Sequence, residues 1–424
     1  WIHNLLKIKK MYYYKKVFLC EDKNMKLFQR MLVAPAALGL LAPMTAINAT
    51  EANLDGVSNY SKDVIGISHK TFNNNSSALE ALAPNPLLAG GEGMSSYDGG
   101  FSDTTTASFS ADFLIGAVDG DTNSEAVTGG YGFQIDLSTS FTGEDNFAVS
   151  LDAGNAGGVL AEADLNSAGD GLVVDGISYQ FPIGDKTQVI VGDSIDGSTL
   201  FSTACVYGGF TNTLDDCGNG SSAITGPADN NVAASASYDI GGGWTAALGY
   251  AGEGSNNDGF MTHLGQDFYA GQVAYTADSY GVSLTMANIE SATRSSTAVN
   301  EYYADTTYYA VNAYWTPEET GVVPSISVGF ENGNVEADQS GTSDTNQWFV
   351  GFQWDEAGAG TLGAAIGSSG AQATDDNEDL NMYEVFYSYP VNDGMTITPA
   401  VYVQEQAVGF DDITGVMVKT SFSF

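Results

Sequence analysis

Carboxylates are the main chemical resource of this chain: 52 Asp and Glu stand against 13 Lys and Arg and three His, a formal net charge of −39. Carboxylates held close together can bind cations, repel anions or move protons, and each task needs its own spacing. Asp119, Asp121 and Asn123 begin like a calcium loop, but Ser124 stands where the turn glycine belongs and Gly130 where a bidentate Glu belongs. Weakly bound loop calcium is therefore the one cofactor candidate, and no other metal site or cofactor is expected. A second set, Asp196, Asp215, Asp216 and Asp229, lies in one long stretch, roughly 195–230, that contains neither Lys nor Arg. That stretch also holds Cys205 and Cys217, an even pair that in an exported chain closes a loop with a disulfide.

Enzymatic chemistry finds little to work with. Beyond residue 49 the histidines are His69 and His263, so a histidine-rich metal centre is excluded and a Ser–His pair could use only His263. Gly358-Ala-Gly-Thr-Leu-Gly363 matches the dinucleotide-binding pattern in form, yet it joins two strand-like segments with no helix after it. No catalytic residue is expected. Nucleic acid is excluded as a partner, because phosphate binding requires clustered Lys and Arg.

The elements that must carry these carboxylates show a period of two. Tyr131, Phe133, Ile135 and Leu137 alternate with Gly132, Gln134, Asp136 and Ser138, and Val416, Val418, Thr420 and Phe422 with Met417, Lys419, Ser421 and Ser423. Successive strand side chains point to opposite faces, so each segment presents one apolar and one wet face. About 16 such segments fill residues 101–424, with short turns such as Gly184-Asp185 and Gly241-Gly242-Gly243 alternating with long connections. The expected fold is all-β: a transmembrane up-and-down antiparallel barrel whose outer face meets outer-membrane lipid. Aromatic pairs at segment ends, Trp244 and Tyr250, Tyr309 and Trp315, Trp348 and Trp354, suit the two membrane interfaces. Parity then places Asp112, Asp136, Asp152, Glu384 and Lys419 on the lumen side, as candidates for lining a pore or its constriction.

The remaining segments divide cleanly. Residues 25–49 read as a cleaved signal peptide, with Lys26 and Arg30 ahead of an apolar core and small residues up to Ala49. Residues 1–24 read as a mis-assigned upstream extension, and 50–100, rich in Asn, Ser and Gly, as a mostly disordered periplasmic leader. Eight basic residues fall within 1–49, leaving Lys62, Lys70, Lys186, Arg294 and Lys419 to face fifty acids. The expected function is passive diffusion of small hydrophilic solutes, with cations preferred through an acidic eyelet. A structural or adhesive surface barrel without an open pore is the alternative.

Particular strings give this expectation a family. Asn53-Leu-Asp-Gly-Val-Ser-Asn-Tyr, Phe109-Ser-Ala-Asp-Phe, Asp175-Gly-Ile-Ser-Tyr, Thr203-Ala-Cys-Val-Tyr-Gly-Gly and Leu214-Asp-Asp-Cys-Gly resemble porins of marine unicellular cyanobacteria. Those proteins are grouped with the carbohydrate-selective, OprB-type or iron-uptake porins, and the likeness covers most of residues 25–424. It implies an outer-membrane channel for ions or sugars, a homotrimer, and a third long loop folded into the lumen, where roughly 195–230 stands. Two departures matter. The Arg and Lys ladder that general porins set opposite an acidic loop cannot be assembled here. The S-layer-homology domain of many relatives is also missing, since Gly90-Gly-Glu-Gly-Met runs almost straight into the first strand, so peptidoglycan anchoring is not expected.

Overall fold

In the computed structural model the described residues are 105–424, apart from 121–124, 167–168, 219–231, 253–260, 263–265, 291–292, 297–298, 303–304, 320, 337–343 and 374–378. The stretches expected to be the upstream extension, signal peptide and leader, together with His69 and His263, lie outside the described residues. Alternation of side chains produces the strands in chain order. The first half comprises β1 (Thr105–Asp119), β2 (Thr128–Thr139), β3 (Asn146–Gly154), β4 (Gly169–Ile183), β5 (Thr187–Asp193), β6 (Val232–Gly241), β7 (Trp244–Gly252), β8 (Asp267–Thr276) and β9 (Tyr280–Ile289). A detached hairpin, β10 (Thr293–Ser296) with β11 (Val299–Tyr302), precedes β12 (Thr306–Trp315), β13 (Ser325–Val335), β14 (Thr345–Ala357) and β15 (Gly360–Ser368). The two-residue β16 (Gln372–Ala373), β17 (Asn381–Asn392), β18 (Met395–Gln404) and β19 (Ile413–Ser423) complete the set.

Sixteen of these strands form a closed antiparallel barrel, each pairing with its neighbour and the last with the first. Closure runs through Asp112 opposite Ser421 and Leu114 opposite Lys419, and ends with mutual 3.0 Å backbone hydrogen bonds between Phe109 and Phe424. A closed barrel leaves no unpaired strand edge, the condition for strands to cross a hydrocarbon layer. The outward parity carries the exposed apolar side chains Phe113, Ile115, Leu248, Leu284, Val311 and Val385. In water such a surface would aggregate; in lipid it is the solvated face. Trp244, Tyr309, Trp315 and Trp348 belong to the same outer face and are also exposed.

Both ends of β13 have physical causes. Pro324 has no N–H to give to the ladder, so β13 opens at Ser325, with Val322 and Val323 left in the turn. At its other end the turn-forming run Asn332-Gly333-Asn334 stays in the strand because β12 supplies ladder partners as far as Thr306 opposite Val335. Gly358-Ala359 is a strand-to-strand turn between β14 and β15, with Gly358 at φ 78°, so no helix receives a dinucleotide there.

The turn from β2 to β3 is built on one carboxylate. Asp145 Oδ1 accepts hydrogen bonds from the Thr142 N–H at 2.7 Å, the Phe141 N–H at 2.9 Å and the Ser140 and Thr142 hydroxyls at 2.8 Å, while Oδ2 takes the Tyr179 hydroxyl at 2.7 Å. Burial alone would raise its pKa, but donation from Thr142, Tyr179 and Ser140 outweighs burial and holds the carboxyl well below the ordinary 3.8. A depressed pKa gives stability that is complete above the unfolded value and lost as pH falls through the folded one. Asp145→Asn should therefore lower barrel stability by about 1–2 kcal/mol at pH 7. Urea unfolding in detergent at successive pH values should show parent and variant converging only under strong acid. A gap that persists unchanged there would show that the carboxylate charge is not what matters.

Candidate pore constriction

After β5 the chain leaves the barrel rim and runs over the inner wall. A backbone taken off the surface must find partners for its polar groups, and inward side chains supply them. Ser202 N–H donates to Gln272 Oε1 on β8 at 2.6 Å, and Gln272 Nε2 returns to the Ser202 carbonyl at 2.9 Å. Asn312 Nδ2 on β12 donates to the Thr203 carbonyl at 2.9 Å. Val206 N–H reaches Ser327 Oγ on β13 and Gly208 N–H reaches Gln353 Oε1 on β14, each at 3.0 Å. The approach is closest at Gly249 and Gly329, where a Cβ would run into the Gly197 and Cys217 carbonyl oxygens.

The far end of this third long loop is fastened to Glu384 on β17. Its Oε1 accepts the Tyr207 hydroxyl at 2.6 Å and the Phe210 N–H at 3.2 Å; Oε2 accepts the Thr211 N–H at 2.9 Å and the Thr211 hydroxyl at 2.6 Å. Burial, then the Glu384 charge, pushes the Tyr207 pKa far upward, so this hydroxyl remains a donor at any working pH. A disulfide joins Cys205 to Cys217 across the same tip, and Cys217 is fully buried.

The second long loop also turns inward. Its short 3₁₀ turn, Gly158–Ala163, places Leu160 in a buried cluster with Leu114, Met417 and Tyr402 of the wall and Phe210 and Leu214 of the third loop. Asn212 N–H donates to the Glu162 carbonyl at 3.0 Å, and the Thr213 hydroxyl to the Glu162 carboxylate at 3.1 Å, so the two loops are stitched together. The buried cluster they share is walled by Leu114 of β1, Phe349 of β14, Met382 and Phe386 of β17, Tyr402 of β18 and Met417 of β19.

The candidate carboxylates divide according to their surroundings. Asp112, Asp136, Asp152, Glu384 and Lys419 all share the inward parity. Asp112 lines a polar cavity of about 100 Å³ with Ser110, Gln134, Asp164 and Asn166. Lys419 Nζ stands 5.2 Å from the centre of the Phe210 ring, a cation–π contact that brings the third loop to the lysine. Asp136 is engaged by Gln134 at 2.9 Å and Ser150 at 2.7 Å, and Asp152 is 7% exposed. Glu384, at 2% exposure, does not face water; it is an anchor for the loop above it.

Asp215 accepts the Gly209 N–H at 3.1 Å and opens the 3₁₀ turn that also contains the Asp216 backbone, while Asp196 stands where the loop enters. Asp119 ends β1, opposite Thr414. Asp121, Asn123 and Asp229 lie outside the described residues. Sequence reasoning missed Glu162 and Asp164, because a loop without alternation gives no parity to read.

Known structures share this architecture. No protein-family model matches the sequence, and no curated protein matches it. Among solved structures, an anion-selective porin from Comamonas acidovorans has a TM-score of 0.54 at 16% identity, covering 76% of this chain and 99% of that one. A loop-deletion variant of OmpT, an outer membrane protein of Vibrio cholerae, has a TM-score of 0.51 at 13% identity, covering 76% and 100%. A triple mutant of the Rhodopseudomonas blastica porin likewise has a TM-score of 0.51 at 13% identity, covering 76% and 100%. The fold of this chain is thus the sixteen-stranded barrel of bacterial outer-membrane porins.

Proposed function

We propose that this chain is an outer-membrane channel for the passive diffusion of small hydrophilic solutes, and that it prefers cations. The observation that carries the proposal is the charge of the lumen. Asp112, Asp136, Asp164 and Asp215 gather along the inner wall and its two loops, while Lys419 is the only basic side chain on the inner wall among the described residues. Sixteen tilted strands about 4.8 Å apart enclose a lumen about 30 Å across between backbones, which the loops then narrow. In a passage of that size, fixed carboxylates act over a Debye length of about 8 Å at physiological salt. The same fold serves an anion-selective porin in Comamonas acidovorans, so selectivity has to be argued from this chain's own charges.

Several further features are proposed with this reading. The strings quoted above favour a cyanobacterial, OprB-type channel that also admits sugars. A cleaved signal peptide at 25–49, a homotrimer and weak calcium at Asp119, Asp121 and Asn123 complete it. Reversal potentials of the purified protein in a planar bilayer under a potassium chloride gradient test the central claim. A permeability ratio favouring potassium is expected. Anion preference would overturn the charge reading, and absence of conductance would favour a structural surface barrel.

A further inference from the structure

We propose that Asp164 of the second loop, opposed by Lys419 on β19, sets the charge selectivity of the pore. The inference rests on the channel reading above and assigns that selectivity to a loop other than the third. Most lumen carboxylates are already engaged. Glu384 is buried beneath the third loop, Asp136 holds Gln134 and Ser150, Glu162 holds Thr213, and Asp215 gives one oxygen to the Gly209 N–H. Asp164 differs from them. It is exposed, it borders the polar cavity beside Asp112, and among the described residues none donates a hydrogen bond to its carboxylate. Its charge is left to act on passing water and ions.

The position of Asp164 is fixed. Its backbone is left-handed, at φ 48°, and its N–H donates to the Ala161 carbonyl at 3.1 Å, closing the 3₁₀ turn. Two residues earlier, Glu162 is bonded to Asn212 and Thr213, which holds Asp164 close to Asp215 of the third loop. Lys419 of β19 is held by the Phe210 ring of the third loop, whose Asn212 and Thr213 are bonded to Glu162. Although its side chain meets solvent, the protein surrounding Asp164 raises its pKa most, Asp215 raises it further and Lys419 lowers it. An ion passing the seam between the loops therefore meets an acidic side and a single basic one.

Reversal potentials of the full-length protein in potassium chloride gradients test the assignment. Asp164→Asn should lower the potassium-to-chloride permeability ratio about threefold, the effect of one unit charge a few ångströms from a wet ion path. Lys419→Gln should raise the ratio by a similar factor, and Asp164→Glu should keep it near the parent value. Lys419 lies on a strand, so its variant tests the same pair with the second loop's own sequence and hydrogen bonds intact, at the loss of the Phe210 contact. A cation-preferring parent whose ratio is unmoved by both Asp164→Asn and Lys419→Gln would overturn the inference. A parent with no cation preference would instead overturn the channel's proposed charge reading.

Discussion

Glu384→Ala should release the tip of the third loop while leaving the barrel closed. The substitution takes the acceptor from four donors at once, two of them backbone N–H groups and one the buried Tyr207 hydroxyl. Hydrogen bonds to a charged group are worth about 1.5–3 kcal/mol each, and a buried donor left without a partner costs about 1–3 kcal/mol, so the docked tip should lose at least about 3 kcal/mol. Single-channel recordings should then show switching between conductance levels in place of one steady level, and added protease should cut within 196–218. Glu384→Gln keeps the shape and one acceptor oxygen, so its effect should be smaller. A protease-resistant loop and steady conductance in Glu384→Ala would show that the apolar cluster alone holds the tip.

The second large effect concerns the disulfide. Cys205 and Cys217 are 12 residues apart, and closing a loop of that size removes about 3 kcal/mol of chain entropy from the undocked state. A Cys205→Ser, Cys217→Ser variant should be cut by protease within the loop at concentrations the parent resists, with the thermal unfolding of the barrel unchanged. Both fastenings act on the same dozen residues, so their losses should not add. Combined with Glu384→Ala, the coupling energy should exceed about 0.5 kcal/mol. Strict additivity would mean that the two act on separate parts of the loop.

Much of the fold is legible in the sequence because strand parity is a strict physical code. The alternating stretches 131–138 and 416–423 fall within β2 and β19, and the inward assignments of Asp112, Asp136, Asp152, Glu384 and Lys419 all follow from alternation. Parity names a face; it does not say what covers it. Glu384 and Asp112 look alike in sequence, yet one lies beneath Tyr207, Phe210 and Thr211 while the other borders a wet cavity. The inward turn of the second loop is illegible for a related reason. Leu160 is buried by Leu114 and Met417, residues far away in the chain. Where tertiary partners replace the local pattern, as with Asn332-Gly333-Asn334 kept in β13 by β12, a reading of neighbouring residues cannot find the boundary.

The clamp and the disulfide also differ in when they can form. Tyr207 and Glu384 are 177 residues apart, so their bond waits until β17 has been translocated and has joined the sheet. The two cysteines need only their own short segment, which emerges while later strands are still to come. An oxidising periplasm can therefore shape the loop in advance, and the barrel then closes around a piece that is already folded. Docking can be completed only after that, because it depends on β8, β12, β13, β14 and β17 all being in place. A chain reaching the membrane with its thiols unpaired would still find its strands, but its lumen would take longer to acquire a fixed shape.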